Sequence, residues 1–269
     1  MVDFNTNGKV AVVTGGTRGL GLHCAEALVL NGAATVVITS RKQKACDEAQ
    51  AYLEKLAKDN NKPAKIISYA ADLAVDDQCV AFYKYVAERI DKLDILVANA
   101  GATWGAPLED HDVSAVKKVL NLNVVAVFHT IKLFAALLEK AATPEDPSRI
   151  ILMSSVISFT TNDTVGLYGY LTSKAAISHL GRNLSVQFAP RHINVNSIAP
   201  GWFPSKMANG LIEAAGDMLT ETNPRGRLGQ KEDLQNLLVF LCSKQSNYIN
   251  GVVIPLDGGA HNNTPAAHF

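Results

Sequence analysis

Charge imbalance is missing from this sequence: 25 Lys and Arg are matched by 25 Asp and Glu, so the formal net charge is zero. Without a long-range field, neither a nucleic acid nor an anionic membrane surface is an expected partner. Cysteine is scarce as well. Cys24, Cys46, Cys79 and Cys242 show no C-x-x-C spacing, which argues against a disulfide framework or a zinc site and leaves reduced, partly buried thiols as the expectation. The seven histidines are scattered, so no metal is expected and a histidine-based mechanism lacks support. No uncharged apolar run reaches the roughly 18 residues that a membrane span needs. The opening MVDFNTNGKV lacks a basic-then-apolar signal. Neither membrane spanning nor secretion is therefore expected, and a cytoplasmic location is.

What is present is ample core material, 48% hydrophobic over 269 residues, with no linker-like composition shift and no repeat. One domain over 1–269 is the expectation. Short β-branched runs alternate with helical patterns: KVAVVT, ATVVITS, AKIISYA, LDILVA, RIILMS, INVNSIA and VVIPL are seven strand candidates. That alternation predicts an α/β fold, a doubly wound seven-stranded parallel sheet with helices on both faces. The run Val113 to Glu139 is predicted as one helix, apolar on more than one side, with one face on the sheet and another on a second subunit.

Polar residues cluster at the predicted carboxyl ends of strands, where open α/β sheets bind ligands. After the first strand comes GGTRGLG, with Gly15, Thr17, Arg18, Gly19, Leu20 and Gly21 opening a helix. Glycines there let a phosphate approach bare amides, although such a turn also arises as plain geometry. The second strand ends in Ser40-Arg41-Lys42 with no acid before Asp47. Cations in the first turn oppose the helix dipole, so Arg41, together with Arg18, suggests a docked anion, read as the 2′-phosphate of NADP. Asp72-Leu73 and Asn99-Ala100-Gly101 end the third and fourth strands; they are expected to line adenine and ribose, or else to cap the following turns. After the sixth strand, Trp202, Phe203, Pro204 and Met207 read as part of a mobile cover over an apolar pocket, or else as ordinary packing.

The most chemically loaded stretch is Ser155 to Lys174. Tyr170 and Lys174 are four apart on a predicted helix and so share a face. An ammonium about 4 Å from a phenol, at an effective dielectric near 20, contributes on the order of 4 kcal/mol, roughly three pKa units. Burial opposes it, and the cation is expected to prevail only if Lys174 stays protonated and close. Ser155 is placed to hold a substrate oxygen, and Asn123, poorly suited to a helix interior, to hold water or the lysine, or else to make an ordinary buried polar contact.

Taken in order, TGGTRGLG, Asn99-Ala100-Gly101, Asn123, Ser155, Tyr170 and Lys174 closely resemble the short-chain dehydrogenase/reductase family over roughly Lys9 to Gly259. The resemblance implies a Rossmann fold, NADP(H) as cofactor, a small-molecule carbonyl substrate, and a homo-oligomer, dimer or tetramer. It implies a catalytic tetrad of Asn123, Ser155, Tyr170 and Lys174, with Lys174 on the nicotinamide ribose. It also implies that Pro200-Gly201 borders the nicotinamide and that Ser205 stands at the carboxamide. The gap from Ser155 to Tyr170 is about two residues longer than the family pattern, which leaves Ser154 and Ser158 as alternative partners. GATWGAPLE and IAPGWFPSKM look most like NADPH-dependent β-ketoacyl reductases of the type associated with rhamnolipid synthesis. Reductases of sugars, polyols or steroids, and a non-catalytic NADP-binding sensor, are the alternatives.

Overall fold

The structure is a computed structural model that describes residues 4–160, 166–204 and 216–263. Seven strands pair in parallel in the order β3-β2-β1-β4-β5-β6-β7. They are β1 Val10–Thr14, β2 Thr35–Ser40, β3 Lys65–Ala70, β4 Ile95–Ala98, β5 Ser148–Met153, β6 Ile193–Pro200 and β7 Val253–Leu256. Each of the seven strand candidates forms a strand, with ends shifted by a residue or two. The chain lays down β1 to β3 in one direction and then returns to place β4 on the other side of β1. That reversal opens a crevice between β1 and β4 at their carboxyl ends.

Helices cover both faces of the sheet: α1 Gly19–Leu30, α2 Gln43–Asp59, α3 Asp76–Ala87, α4 Val113–Leu120, α5 Ala126–Ala141, α6 Tyr168–Phe188 and α7 Lys231–Cys242. Because successive strand residues point to opposite faces, the core divides in two. Val13 and Ile38 pack with Leu28, Leu53 and Leu238 of α1, α2 and α7. Val12 and Val37 pack with Phe82, Phe134 and Ile177 of α3, α5 and α6. All four cysteines are buried and free. Burial pushes the Cys242 thiol up to about 12, so it stays a thiol at neutral pH.

The run from Val113 is not one regular helix. Five residues, Asn121–Val125, form a π turn between α4 and α5. A π turn inserts a residue into the helical register and re-aims the side chains around it. By length and composition alone, the 29 residues Val113–Ala141 could cross a membrane, yet Val127, Ile131, Phe134 and Leu138 lie in the core. Val113, Val125 and Phe128 remain exposed.

Phe134 is fully buried, with its ring centroid 5.7 Å from that of Phe82 and 5.3 Å from that of Tyr83. Phe134→Ala is expected to lower unfolding free energy by about 3–5 kcal/mol, read as a shifted urea midpoint.

Candidate active site

The floor of the crevice is held by Thr14 and Asn99. At the end of β1, the Thr14 hydroxyl accepts hydrogen bonds from the backbone N–H groups of Asn99 and Ala100, both at 3.0 Å. The Asn99 amide in turn donates to the carbonyls of Thr14 and Gly15 at 2.9 and 3.3 Å. Its side chain thus acts on the glycine loop itself. Gly15 and Gly19 adopt φ of +65° and +52°, in the left-handed region that favours glycine. At Gly21 an added Cβ would lie 2.2 Å from the Gly15 carbonyl oxygen and 2.4 Å from the Asn99 amide.

Helix α1 starts after Arg18, whose side chain makes no capping bond, and its first turn holds no acid. Its leading N–H groups are therefore available to an anion. The same holds at α2, which has Lys42 as an uncapped N-cap and no acid in its first turn. Arg18 and Arg41 are exposed, while Thr17, Leu20 and Ser40 are partly buried. Two uncapped helix starts flanked by arginines fit a dinucleotide carrying an extra phosphate. Asp72 spends one carboxylate oxygen on the Ala74 amide at 3.1 Å. Asp72 therefore does cap its turn, and Leu73 beside it is buried.

Strand β5, the π turn and α6 bring the tetrad candidates together. Asn123 is buried, and its amide clamps Ala102, accepting from its N–H at 2.8 Å and donating to its carbonyl at 2.9 Å. The same amide donates to Ser173 Oγ at 2.9 Å, and Ser173 donates to the Tyr170 carbonyl at 2.7 Å. An added Cβ on Gly101 would lie 3.2 Å from Asn123 Oδ1 and 3.7 Å from Lys174 Nζ. Loop, π turn and α6 therefore converge at Gly101.

The geometry also separates the three serines. Ser154 is buried and bonded to Ser178 Oγ at 2.6 Å and to the Lys174 carbonyl at 3.1 Å. Ser158 donates to the Ser155 carbonyl at 2.7 Å. Ser155 is the one of the three whose hydroxyl acts on the Tyr170 phenol, drawing its pKa down against burial.

One expectation is corrected. Burial pushes the Tyr170 phenol above its ordinary value, opposed only by the Ser155 hydrogen bond. Lys174 does not offset this. Its Nζ lies 5.5 Å from the Tyr170 ring centroid and donates to the Met153 carbonyl at 2.7 Å. Burial pulls the lysine down to about 8, because desolvation disfavours the ammonium as much as the phenolate. The close contact on which the cation's advantage over burial depends is not made, with Nζ turned to the Met153 carbonyl.

Pro200 ends β6, and the Gly201 N–H donates to the Leu256 carbonyl at 3.0 Å. Ser205 and Met207 lie outside the described residues. Phe203 is not part of a mobile cover; it is buried in the core against Gly229, where an added Cβ would meet its ring at 2.5 Å. The cavity beside it, about 210 Å³, is lined by Phe203, Gly229, Leu256 and Gly258 together with Arg225, Arg227, Asp233 and Asp257. Sequence reasoning missed Thr14, Ser173 and Thr103. The first two were legible only as small polar residues beside a strand end and a lysine. Thr103 carries a buried hydroxyl with no partner among the described residues.

A family model described as enoyl-(acyl carrier protein) reductase matches residues 15–261. The chain is 37% identical over 260 residues to the rhamnolipids biosynthesis 3-oxoacyl-[acyl-carrier-protein] reductase of Pseudomonas aeruginosa, covering 96% of this chain and 98% of that one. It is 32% identical over 258 residues to a 3-oxoacyl-[acyl-carrier-protein] reductase of Aquifex aeolicus, covering 96% and 99%. The fold matches the Pseudomonas aeruginosa RhlG/NADP active-site complex with a TM-score of 0.89 and 37% identity, covering 97% of this chain and 100% of that chain.

The depressed Lys174 sets a pH dependence. Between about 8 and the ordinary 10.5 the unfolded chain binds the proton that the folded one has released, so stability rises with pH across that window. Relative to Lys174→Met, the wild-type protein should gain on the order of 3 kcal/mol from pH 8 to 10.5, measured by urea unfolding.

Proposed function

The chain belongs to the short-chain dehydrogenase/reductase family, and from that premise we propose that it reduces a ketone to a secondary alcohol with NADPH, the ketone being of 3-oxoacyl type. The observation that carries the reading is that the Ser155 hydroxyl acts on the Tyr170 phenol while Asn123 and Lys174 meet at Gly101. When bound, NADPH supplies the hydride. Ser155 orients and polarises the carbonyl oxygen, and Tyr170 donates its proton to that oxygen as negative charge develops there. A phenol held above its ordinary value rests protonated at neutral pH, the form that reduction needs. Lys174 holds the nicotinamide ribose, and Asn123, by clamping Ala102, keeps the loop and α6 in register.

Gly15, Thr17, Gly19 and Leu20 hold the pyrophosphate, and Arg18, Ser40 and Arg41 the 2′-phosphate. Asp72, Leu73, Asn99, Ala100 and Gly101 border adenine and ribose, and Pro200, Gly201 and Ser205 the nicotinamide. The relatives named as 3-oxoacyl-[acyl-carrier-protein] reductases support the substrate class. The exposed apolar face of α4 and α5 supports assembly of like copies.

Tyr170→Phe should lower ketone reduction by about 10²–10⁴-fold, with NADPH affinity, read by fluorescence titration, held near wild type. Unchanged turnover would reject Tyr170 as the acid. Removing both arginines, Arg18→Ala with Arg41→Ala, should weaken NADPH at least about tenfold more than NADH, since each charge-assisted phosphate contact contributes about 1.5–3 kcal/mol. Equal weakening of both nucleotides counts against the phosphate site. Initial rates across 3-oxoacyl thioesters, sugars, steroids and simple ketones test the substrate class.

A further inference from the structure

At the end of β7 the chain builds a histidine–carboxylate pair that the reaction above does not use. Asp257 Oδ2 accepts from His261 Nδ1 at 2.8 Å and from the His261 backbone N–H at 2.7 Å, while Oδ1 accepts from the Gly259 N–H at 3.0 Å. The Asp257 side chain is 3% exposed and that of His261 19%. Three bonds to one buried carboxylate fix both the position and the tautomer of the ring.

The pair stands against the site from two sides. Asp257 packs on Gly201, where an added Cβ would lie 2.6 Å from the Asp257 Cβ, so it backs the Pro200-Gly201 rim. The His261 ring centroid lies 5.8 Å from that of Phe159, with the planes at 40°. Phe159 directly follows the short helical turn Val156–Ser158 that Ser155 caps, and the residue is 43% exposed. His261 therefore bridges the rim at Gly201 and the flank of Ser155.

With Nδ1–H spent on Asp257, the neutral imidazole offers only a lone pair at Nε2. No group among the described residues bonds to it. We propose that His261 is a substrate-binding residue whose Nε2 accepts a hydrogen bond from an O–H or N–H donor on the substrate, remote from the reacting carbonyl. Such a donor is the amide N–H of a pantetheine-like thioester arm or the hydroxyl of a polyol-type ketone. The assignment rests on the ketone-reductase reading and narrows its substrate class.

Two matched substrate pairs separate these sources. The amide-bearing N-acetylcysteamine thioester of 3-oxobutanoate is compared with its S-ethyl thioester, and 5-hydroxy-2-pentanone with 2-pentanone. His261→Phe keeps a ring against Phe159 and removes the acceptor; His261→Gln keeps an acceptor. H261F should lose about tenfold in kcat/KM, through KM, on the donor-bearing member of one pair, with the donor-free member within about twofold and H261Q restoring most of the loss. The pair that responds identifies the donor. Equal effects within both pairs, or no effect in either, overturn the assignment. Calorimetric binding of the corresponding alcohols to the NADPH-loaded protein reads the same contact without turnover. A donor-specific tenfold loss in H261F upholds the assignment even if no ketone is reduced, an outcome that overturns only the reductase reading, whereas unchanged affinities overturn the assignment itself.

Discussion

The site depends on one buried hydrogen bond, from Lys174 Nζ to the Met153 carbonyl. An ammonium taken out of water is costly unless a strong acceptor replaces its hydration. Here the acceptor is the last carbonyl of β5, just before Ser154 and Ser155. The bond therefore ties α6, which carries Tyr170, to the strand end that leads into Ser155. Ser154 reinforces the same seam from behind through Ser178 and the Lys174 carbonyl.

Burial of that seam also sets its proton chemistry. Phenol and ammonium share a region that disfavours charge on either, so the phenol rises and the ammonium falls. The pair starts uncharged at the phenol and holds its lysine less tightly protonated than in water. A proton donor for a nascent alkoxide needs the neutral phenol, which a tyrosine at or above its ordinary value already is at neutral pH.

The sheet was legible in the sequence because its strands are short β-branched runs ended by glycine or polar residues, and such runs have few other uses. Tyr170 and Lys174 were legible because four-residue spacing on a helix is a local rule. What could not be read was everything set by contact across the fold. The π turn at Asn121–Val125 leaves no periodic trace, since it depends on Asn123 meeting Ala102 and Ser173. The assignment of Asn99 to the glycine loop depends on β1 and β4 being neighbours. The direction of the Tyr170 shift depends on how far water is excluded, which spacing cannot state. Phe203 read as cover because aromatic residues after Pro-Gly suit a lid, whereas Gly229 leaves room for its ring in the core.

The Asn99 strap has a thermodynamic side. By fastening the ends of β1 and β4 across the crevice, it spends the ordering entropy of the glycine loop during folding, before any nucleotide arrives. Association then meets a rigid cradle, and its free energy is drawn from contacts instead of being consumed in freezing a mobile turn.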